Sequence, residues 1–178
     1  TVSGFWLELD SELVFVGDAG TTEVNDGSIR YGVEMTAFWQ ANEWLAFDVT
    51  AATTDAKFNL DNDNYIPGSV GAVLGAGTTL TLDNGLTASL RLRHFGSAPL
   101  IEDNSVRSES TTLVNFGAAY DISNYTIEFN IFNLLGTNDR DITYFYESQL
   151  QGEANAVSDI HYHPVEPFTV RLGFKIKY

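Results

Sequence analysis

The 178-residue chain contains no cysteine, which excludes disulfide staples and thiolate metal sites. It also contains no run of 18 or so apolar residues, so it offers no helix that could cross a bilayer. Bases are scarce: nine Lys and Arg stand against 24 Asp and Glu, for a formal net charge of −15. An acidic balance of that size repels phosphate backbones, so nucleic acid is not an expected partner. No segment sustains a 3.6-residue apolar period, and no unit recurs at a fixed spacing of about 20–50 residues. Hydrophobic content of 44% is ordinary for a globular chain. None of these filters touches a membrane-spanning β-strand, because half of its residues are polar.

Strand patterning is what the chain does have. Phe168, Val170, Leu172, Phe174, Ile176 and Tyr178 alternate with Thr169, Arg171, Gly173, Lys175 and Lys177. A period of two gives one apolar and one polar face, and about 9–11 residues suffice for a tilted strand to cross a bilayer. Seven earlier segments alternate in the same way, beginning near Phe5, Arg30, Leu45, Ala72, Leu86, Val114 and Tyr125. Short turns are expected near 42, 84 and 123, with Asp83-Asn84-Gly85 supplying the positive-φ positions of a tight hairpin. Long loops are expected at 17–28, near 63, at 97–109 and over about thirty residues from Gly136 to Glu166. Short turns on one side and long loops on the other, with Trp39, Trp44, Tyr120 and Tyr125 beside the turns, is the pattern of an outer-membrane barrel.

The expected fold is therefore all-β: an antiparallel up-and-down transmembrane β-barrel of about eight strands, one domain over 1–178. It is either part of a larger barrel or closed as a small one, and closure requires Phe5–Val16 to pair with Thr169–Lys177. A soluble calyx is the inverse arrangement, with the apolar face inward. The acids Glu8, Asp10, Glu12, Glu34 and Glu128 and the bases Arg91, Arg93, Arg171 and Lys175 are expected on the wet, lumen-facing side, where opposite charges would pair.

Several stretches resemble the C-terminal part of the barrel of TonB-dependent outer-membrane receptors. They include Arg30-Tyr-Gly-Val-Glu34, Tyr65-Ile-Pro-Gly68, Leu90-Arg-Leu-Arg-His-Phe-Gly96, Pro99-Leu-Ile-Glu-Asp-Asn-Ser105, Phe129-Asn-Ile-Phe-Asn-Leu-Leu135 and Asp159-Ile-His-Tyr-His-Pro-Val-Glu-Pro167. The resemblance runs in order along essentially the whole chain. It implies a plugged barrel of about 22 strands, a bacterial outer-membrane location, and uptake of an extracellular nutrient or metal chelate such as a siderophore. It implies TonB as a partner of the full-length protein, outer-membrane lipid around the strands, and no catalysis. Nothing in the chain resembles the plug or the TonB-contacting segment. The ending Phe174, Ile176 and Tyr178 is similar to the terminal signal that the barrel-assembly machinery reads.

Long loops on a rigid scaffold carry function, so Glu102, Asp103, Asn104, Arg107, Tyr144, Tyr146 and Asp159 are the candidate ligand contacts. His161 and His163 share a face if extended, and imidazole suits zinc, copper or nickel, yet no third ligand stands at a fixed offset. Asp61-Asn62-Asp63-Asn64-Tyr65 begins like a calcium loop, but Ile66 occupies the position that demands glycine. Ser148 and Ser158 share a loop with both histidines, which is a bare Ser/His juxtaposition without a motif around it. No cofactor is expected.

Overall fold

The computed structural model describes residues 1–16 and 21–177. It contains ten strands in chain order: β1 (Val2–Val16), β2 (Thr21–Asn42), β3 (Leu45–Phe58), β4 (Ala72–Thr81), β5 (Leu86–Phe95), β6 (Thr111–Ile122), β7 (Tyr125–Phe132), β8 (Arg140–Ser148), β9 (Val157–Pro164) and β10 (Thr169–Ile176). Eight form one antiparallel sheet in the order β1-β2-β3-β4-β5-β6-β7-β10, and β8 with β9 forms a separate hairpin. The eight alternating segments are thus all strands, and all pairings in the sheet are antiparallel.

Three expectations need correction. The Gly136–Glu166 segment is not an open loop, because β8 and β9 pair across most of it. The stretch up to Ser28 is largely strand: β2 starts at Thr21 and runs 22 residues. The sheet is also not closed, since β1 and β10 are its two outer strands. The free-standing eight-stranded barrel is therefore not the arrangement adopted. Gly17 to Gly20 and Tyr178 lie outside the described residues.

Turn chemistry explains the short end. Gly85 adopts φ +88° and Ser123 φ +53°, and the Asn84 carboxamide accepts from the Leu86 amide at 3.1 Å. At the β2–β3 turn the Asn42 side chain accepts from the Trp44 amide at 3.1 Å.

Side chains segregate across most of the sheet, the exceptions including Glu8 and Asp55 on the apolar side and Leu7 and Phe38 on the polar one. Following the register, Phe174, Ile127, Tyr120, Leu86, Leu80, Leu45 and the alternating residues above them share one face. A single layer has nothing behind it, so these groups stay open: Leu172 is 78% exposed, Trp6 66% and Phe174 62%. A continuous apolar face of this extent marks a lipid or protein contact rather than a solvated surface. Aromatic stacks sit towards both ends of it: Trp39 on Phe47 and Tyr125 on Phe174 near the short turns, Trp6 on Tyr31 towards the long loops. Tyr31 and Trp39 are eight steps apart on β2, about 26 Å along the strand at about 3.3 Å per residue, which suits a tilted strand across an apolar band of about 25 Å.

The small core lies at the long-loop end, where Phe58, Ile66, Ala98 and Leu100 are buried beneath two loops and Val165 at the foot of the hairpin.

Candidate functional site

The opposite face of the sheet is polar, and its charges meet in pairs. Arg91 on β5 reaches Asp48 on β3 across Gly77 of β4, which has no side chain to block it. Lys175 bonds Glu128, Lys177 donates to Asp121 at 3.0 Å, and Arg171 donates to Glu166 at 2.5 Å. These groups are substantially exposed, so each pair is worth about 0–1 kcal/mol by itself. Their value is in neutralising one face of an otherwise apolar sheet. Glu34 sits on this face opposite Ala52.

Three of the expected polar-face acids, all on β1, need separate treatment. Glu8 pairs with Ile29 and shares the side of Trp6 and Tyr31, so it leaves the group. The register between β1 and β2 runs to Leu9–Ser28 and resumes at Ser11–Asp26. Asp10 and Gly27 fall at this break, and the alternation inverts beyond it. A Cβ on Gly27 would meet the Leu9 carbonyl at 2.6 Å, so glycine is what lets the strands cross there. Glu12 consequently turns to the polar side. It accepts from the Ser28 hydroxyl at 2.6 Å and from Arg30 at 2.7 Å. With Ser28 fully buried, Glu12→Ala is expected to cost about 1.5–3 kcal/mol, the usual loss for a hydrogen-bonded charge. Urea unfolding of a receptor carrying it, in a cycle with Arg30→Ala, would report a coupling of that order.

At the long-loop end the loops are built, not merely long. The Gly68 amide donates to the Pro99 carbonyl at 2.8 Å and the Tyr65 amide to the Glu102 carbonyl at 3.0 Å, joining the 59–71 and 96–110 loops. Within the second loop the Asp103 carboxylate accepts from the Ser105 amide at 2.8 Å. That backbone bond, helped by the Ser105 side chain, holds the Asp103 carboxyl below its ordinary 3.8. Its contribution is complete above 3.8 and lost only as pH falls through the lower folded value. Limited proteolysis of this loop should therefore be flat from neutral pH down to that range. Arg107 bonds the Asn104 carboxamide and donates to the Ser97 carbonyl at 3.1 Å. Asn104 itself adopts φ +61°. Asn104, Asp103 and Arg107 thus brace the loop, and the Glu102 carbonyl is used in docking.

The remaining candidates lie on the hairpin. Tyr144 pairs with His161, Tyr146 with Asp159 and Ile142 with His163, so Tyr144, Tyr146, Asp159, His161 and His163 all stand on one face. The His161 ring stacks on Tyr146 at 3.9 Å between centroids, and its Nε2 lies 3.2 Å from the Ser148 hydroxyl. Among the described residues, no three His, Cys, Asp or Glu side chains group closely enough to hold a metal ion.

Two cavities flank the ion pair of Arg93 with Asp141 (3.9 Å). One, of about 290 Å³, lies between the loops and the hairpin foot and is lined by Phe95, Leu100, Glu109, Arg140 and Thr143 among others. The other, of about 280 Å³, is bounded by Asn115, Phe132, Asn133, His163 and Glu166. Of the candidates read from the sequence, only Arg93 and His163 line either one. Glu109, Arg140 and Asp141 were missed; the alternating charges of Asp139-Arg140-Asp141 are the only sequence signal pointing to them.

The comparisons with known proteins agree with this geometry. The family model described as "TonB dependent receptor-like, beta-barrel" matches residues 1–134. No curated protein matches. Among solved structures, the ferric yersiniabactin uptake receptor FyuA from Yersinia pestis is similar with a TM-score of 0.65 at 16% identity, over 99% of this chain and 34% of that one. The copper transporter OprC gives 0.62 at 16% identity, over 78% of this chain and 23% of that one. The FrpB iron transporter from Neisseria meningitidis (F3-3 variant) gives 0.62 at 15%, over 97% and 28%. The chain therefore spans about a third or less of the structures it matches, each of which contributes the likeness of an open segment of barrel. With the family model covering most of its length and the two-faced sheet overlaying that barrel, the chain belongs to the TonB-dependent receptor-like β-barrel family.

Proposed function

We propose that this chain forms part of the wall and outer rim of an outer-membrane TonB-dependent uptake receptor. The apolar face meets lipid. The polar face, with Glu12, Glu34, Arg91, Arg93, Glu128, Arg171 and Lys175, lines the lumen. The observation that carries the reading is the segregation itself: large exposed apolar side chains on one face of the sheet, paired charges on the other, short turns at one end and built loops at the other. A bilayer makes such a face favourable over the length of a strand.

The cargo in this reading is a small nutrient or metal chelate, the class named for the similar receptors: ferric yersiniabactin, iron and copper. The hairpin face of Tyr144, Tyr146, Asp159, His161 and His163 meets it from outside, with phenols and imidazoles as polar aromatic contacts. The histidines there serve the cargo rather than a resident metal. TonB is engaged by the full-length receptor, and the alternating apolar ending with Phe174 and Ile176 is offered to the barrel-assembly machinery. The reading assigns no catalytic step.

Replacing residues 139–164 by a short Gly/Ser linker in the full-length receptor tests it. Uptake of radiolabelled iron or copper chelates by whole cells is expected to fall at least about tenfold while the barrel still migrates as a compact, heat-modifiable band. Undiminished uptake with the hairpin gone would overturn the cargo assignment.

A further inference from the structure

Asn133 lies within the Phe129–Leu135 motif of the resemblance, just past the end of β7, and nothing in the wall or the cargo face accounts for it. It is 2% exposed, among the most buried side chains described. It also adopts φ +50°, a backbone conformation that asparagine tolerates and most residues do not. Its carboxamide is fully used. Nδ2 donates to the Thr137 carbonyl at 2.8 Å and to the Glu166 carbonyl at 3.1 Å, and Oδ1 accepts from the Thr137 amide at 3.1 Å. Its own amide donates to the Asn115 carboxamide of β6 at 2.9 Å.

Thr137 and Glu166 are the two ends of the segment that carries the hairpin. One buried side chain therefore gathers both feet of that arm and ties them to the sheet. The other foot contacts lie within a few residues: the Thr112 amide donates to the Asp139 carboxylate at 2.6 Å, the Thr111 hydroxyl to the Arg140 carbonyl, and the Val165 amide to the Asp139 carbonyl at 3.1 Å. Farther along, β8 and β9 pack chiefly against each other. The ion pairs of Arg140 with Glu109 and Arg93 with Asp141, at 3.8 and 3.9 Å, are long. A two-stranded hairpin is marginal by itself, so the direction it takes from the rim is set where it is rooted. Asparagine alone among the side chains of this size offers two donors and an acceptor in one plane. Aspartate has no donor, and glycine keeps the backbone angle but has no side chain.

We propose that Asn133 is the positioning residue of the 137–166 arm: its carboxamide joins the two feet and thereby aims the Tyr144, Tyr146, Asp159, His161 and His163 face over the rim. That the aim matters for cargo rests on the function proposed above, whereas the clamp itself does not. The two are separated by testing the clamp without any ligand.

The experiment is a spin-label distance measurement on the full-length receptor, freed of any other cysteine, in outer-membrane vesicles. Labels at Leu150→Cys, on the exposed tip, and Asp83→Cys, in the β4–β5 turn, report the pose of the arm against the barrel. With Asn133 present a single narrow distance distribution is expected. Asn133→Gly, which suits φ +50°, and Asn133→Asp, which keeps the acceptor and loses both donors, are each expected to broaden it at least twofold. The heat-modifiable band and its melting midpoint should stay within a few degrees of the parent. An unchanged narrow distribution in Asn133→Gly would overturn the proposal. So would broadening accompanied by loss of the heat-modifiable band in both variants, which would make Asn133 a requirement of the barrel and not of the arm. If the clamp holds and the hairpin deletion leaves uptake intact, the clamp stands and the cargo reading fails.

Discussion

Leu90→Arg in the full-length receptor is expected to destabilise the barrel by about 2–4 kcal/mol, the cost of a cation facing lipid near the bilayer midplane. Leu90 stands midway along β5, opposite Thr78 on one side and Phe116 on the other, with its side chain 40% exposed on the apolar face. Its neighbour Ser89 points the other way, towards a space of about 340 Å³ bordered by Thr79, Gly117 and Glu128. Ser89→Lys places a cation one residue away, beside a carboxylate and with room for its stem. It should change stability by about 0.5 kcal/mol or less, as at ordinary surface positions. The contrast between adjacent residues isolates the medium each face meets, because strand, depth and introduced charge are nearly the same. It would be read from urea unfolding in lipid vesicles and from the fraction of heat-modifiable band in cells. Equally small costs at both positions would mean that both faces meet water, and equally large ones that neither does.

A second large effect is expected at Gly32, where the constraint is backbone and not medium. On β2, Gly32 lies between Phe5 and Thr54. A Cβ placed there would be 2.0 Å from the Thr53 carbonyl oxygen and 2.8 Å from the Phe5 ring. The ring covers the bare backbone, an arrangement known to compensate glycine in a strand. A side chain cannot be accommodated by turning Phe5 aside, because the carbonyl belongs to the neighbouring strand. Gly32→Val is expected to cost about 3 kcal/mol or more, at or above the upper end of ordinary overpacking. Gly4→Ala on β1 is the control: the nearest atom to its Cβ is the Gly32 carbonyl oxygen at 3.9 Å, an ordinary contact. It should be neutral or stabilising by up to about 1 kcal/mol, since alanine loses less entropy than glycine on folding.

Period-two alternation is legible in the sequence from β4 to β7 and in β10 because each of those strands carries apolar side chains on one face and mostly polar or small ones on the other. Phe174 and Lys175, or Leu90 and Arg91, declare their sides without help from neighbours. What breaks the period was not legible. Glu8 looked like Glu12, three acids in a row of alternating positions, until the inversion at Asp10 and Gly27 put Glu8 beside Ile29 and Glu12 beside Arg30. The first part of β2, with Asn25, Asp26 and Gly27, has loop composition and becomes strand because β1 continues beside it. The hairpin of β8 and β9 stayed hidden for another reason. Tyr144-Phe145-Tyr146 and His161-Tyr162-His163 put aromatic groups on both faces, so no period separates them. The flanking Gly136, Gly152 and Pro164 read as loop.

The candidate site divides in the same way. Loop length and residue type nominate Tyr144, Tyr146, Asp159, His161 and His163 as candidates, but only pairing shows that they share one face. Asp103, Asn104 and Arg107 are candidates by their place on a long loop, and in the structure they brace that loop. Asn133 stands in a stretch that carries the family resemblance, but its role is not legible there, since it depends on two carbonyls, Thr137 and Glu166, brought together only by the fold. Closure of the sheet is likewise a property of strands on either side of β1 and β10, and their alternation carries no information about what pairs with them.

The central claim, that one face of the sheet meets lipid and the other the lumen, is tested most directly by nitroxide accessibility along β5 in the full-length receptor in membranes. Single labels at residues 87 to 92 would be probed with oxygen, which partitions into lipid, and with a water-soluble nickel chelate. Oxygen accessibility should peak at Ala88, Leu90 and Leu92, and nickel accessibility at Thr87, Ser89 and Arg91, the two profiles out of phase with a period of two. In-phase profiles, or an oxygen maximum on the arginine face, would contradict the account.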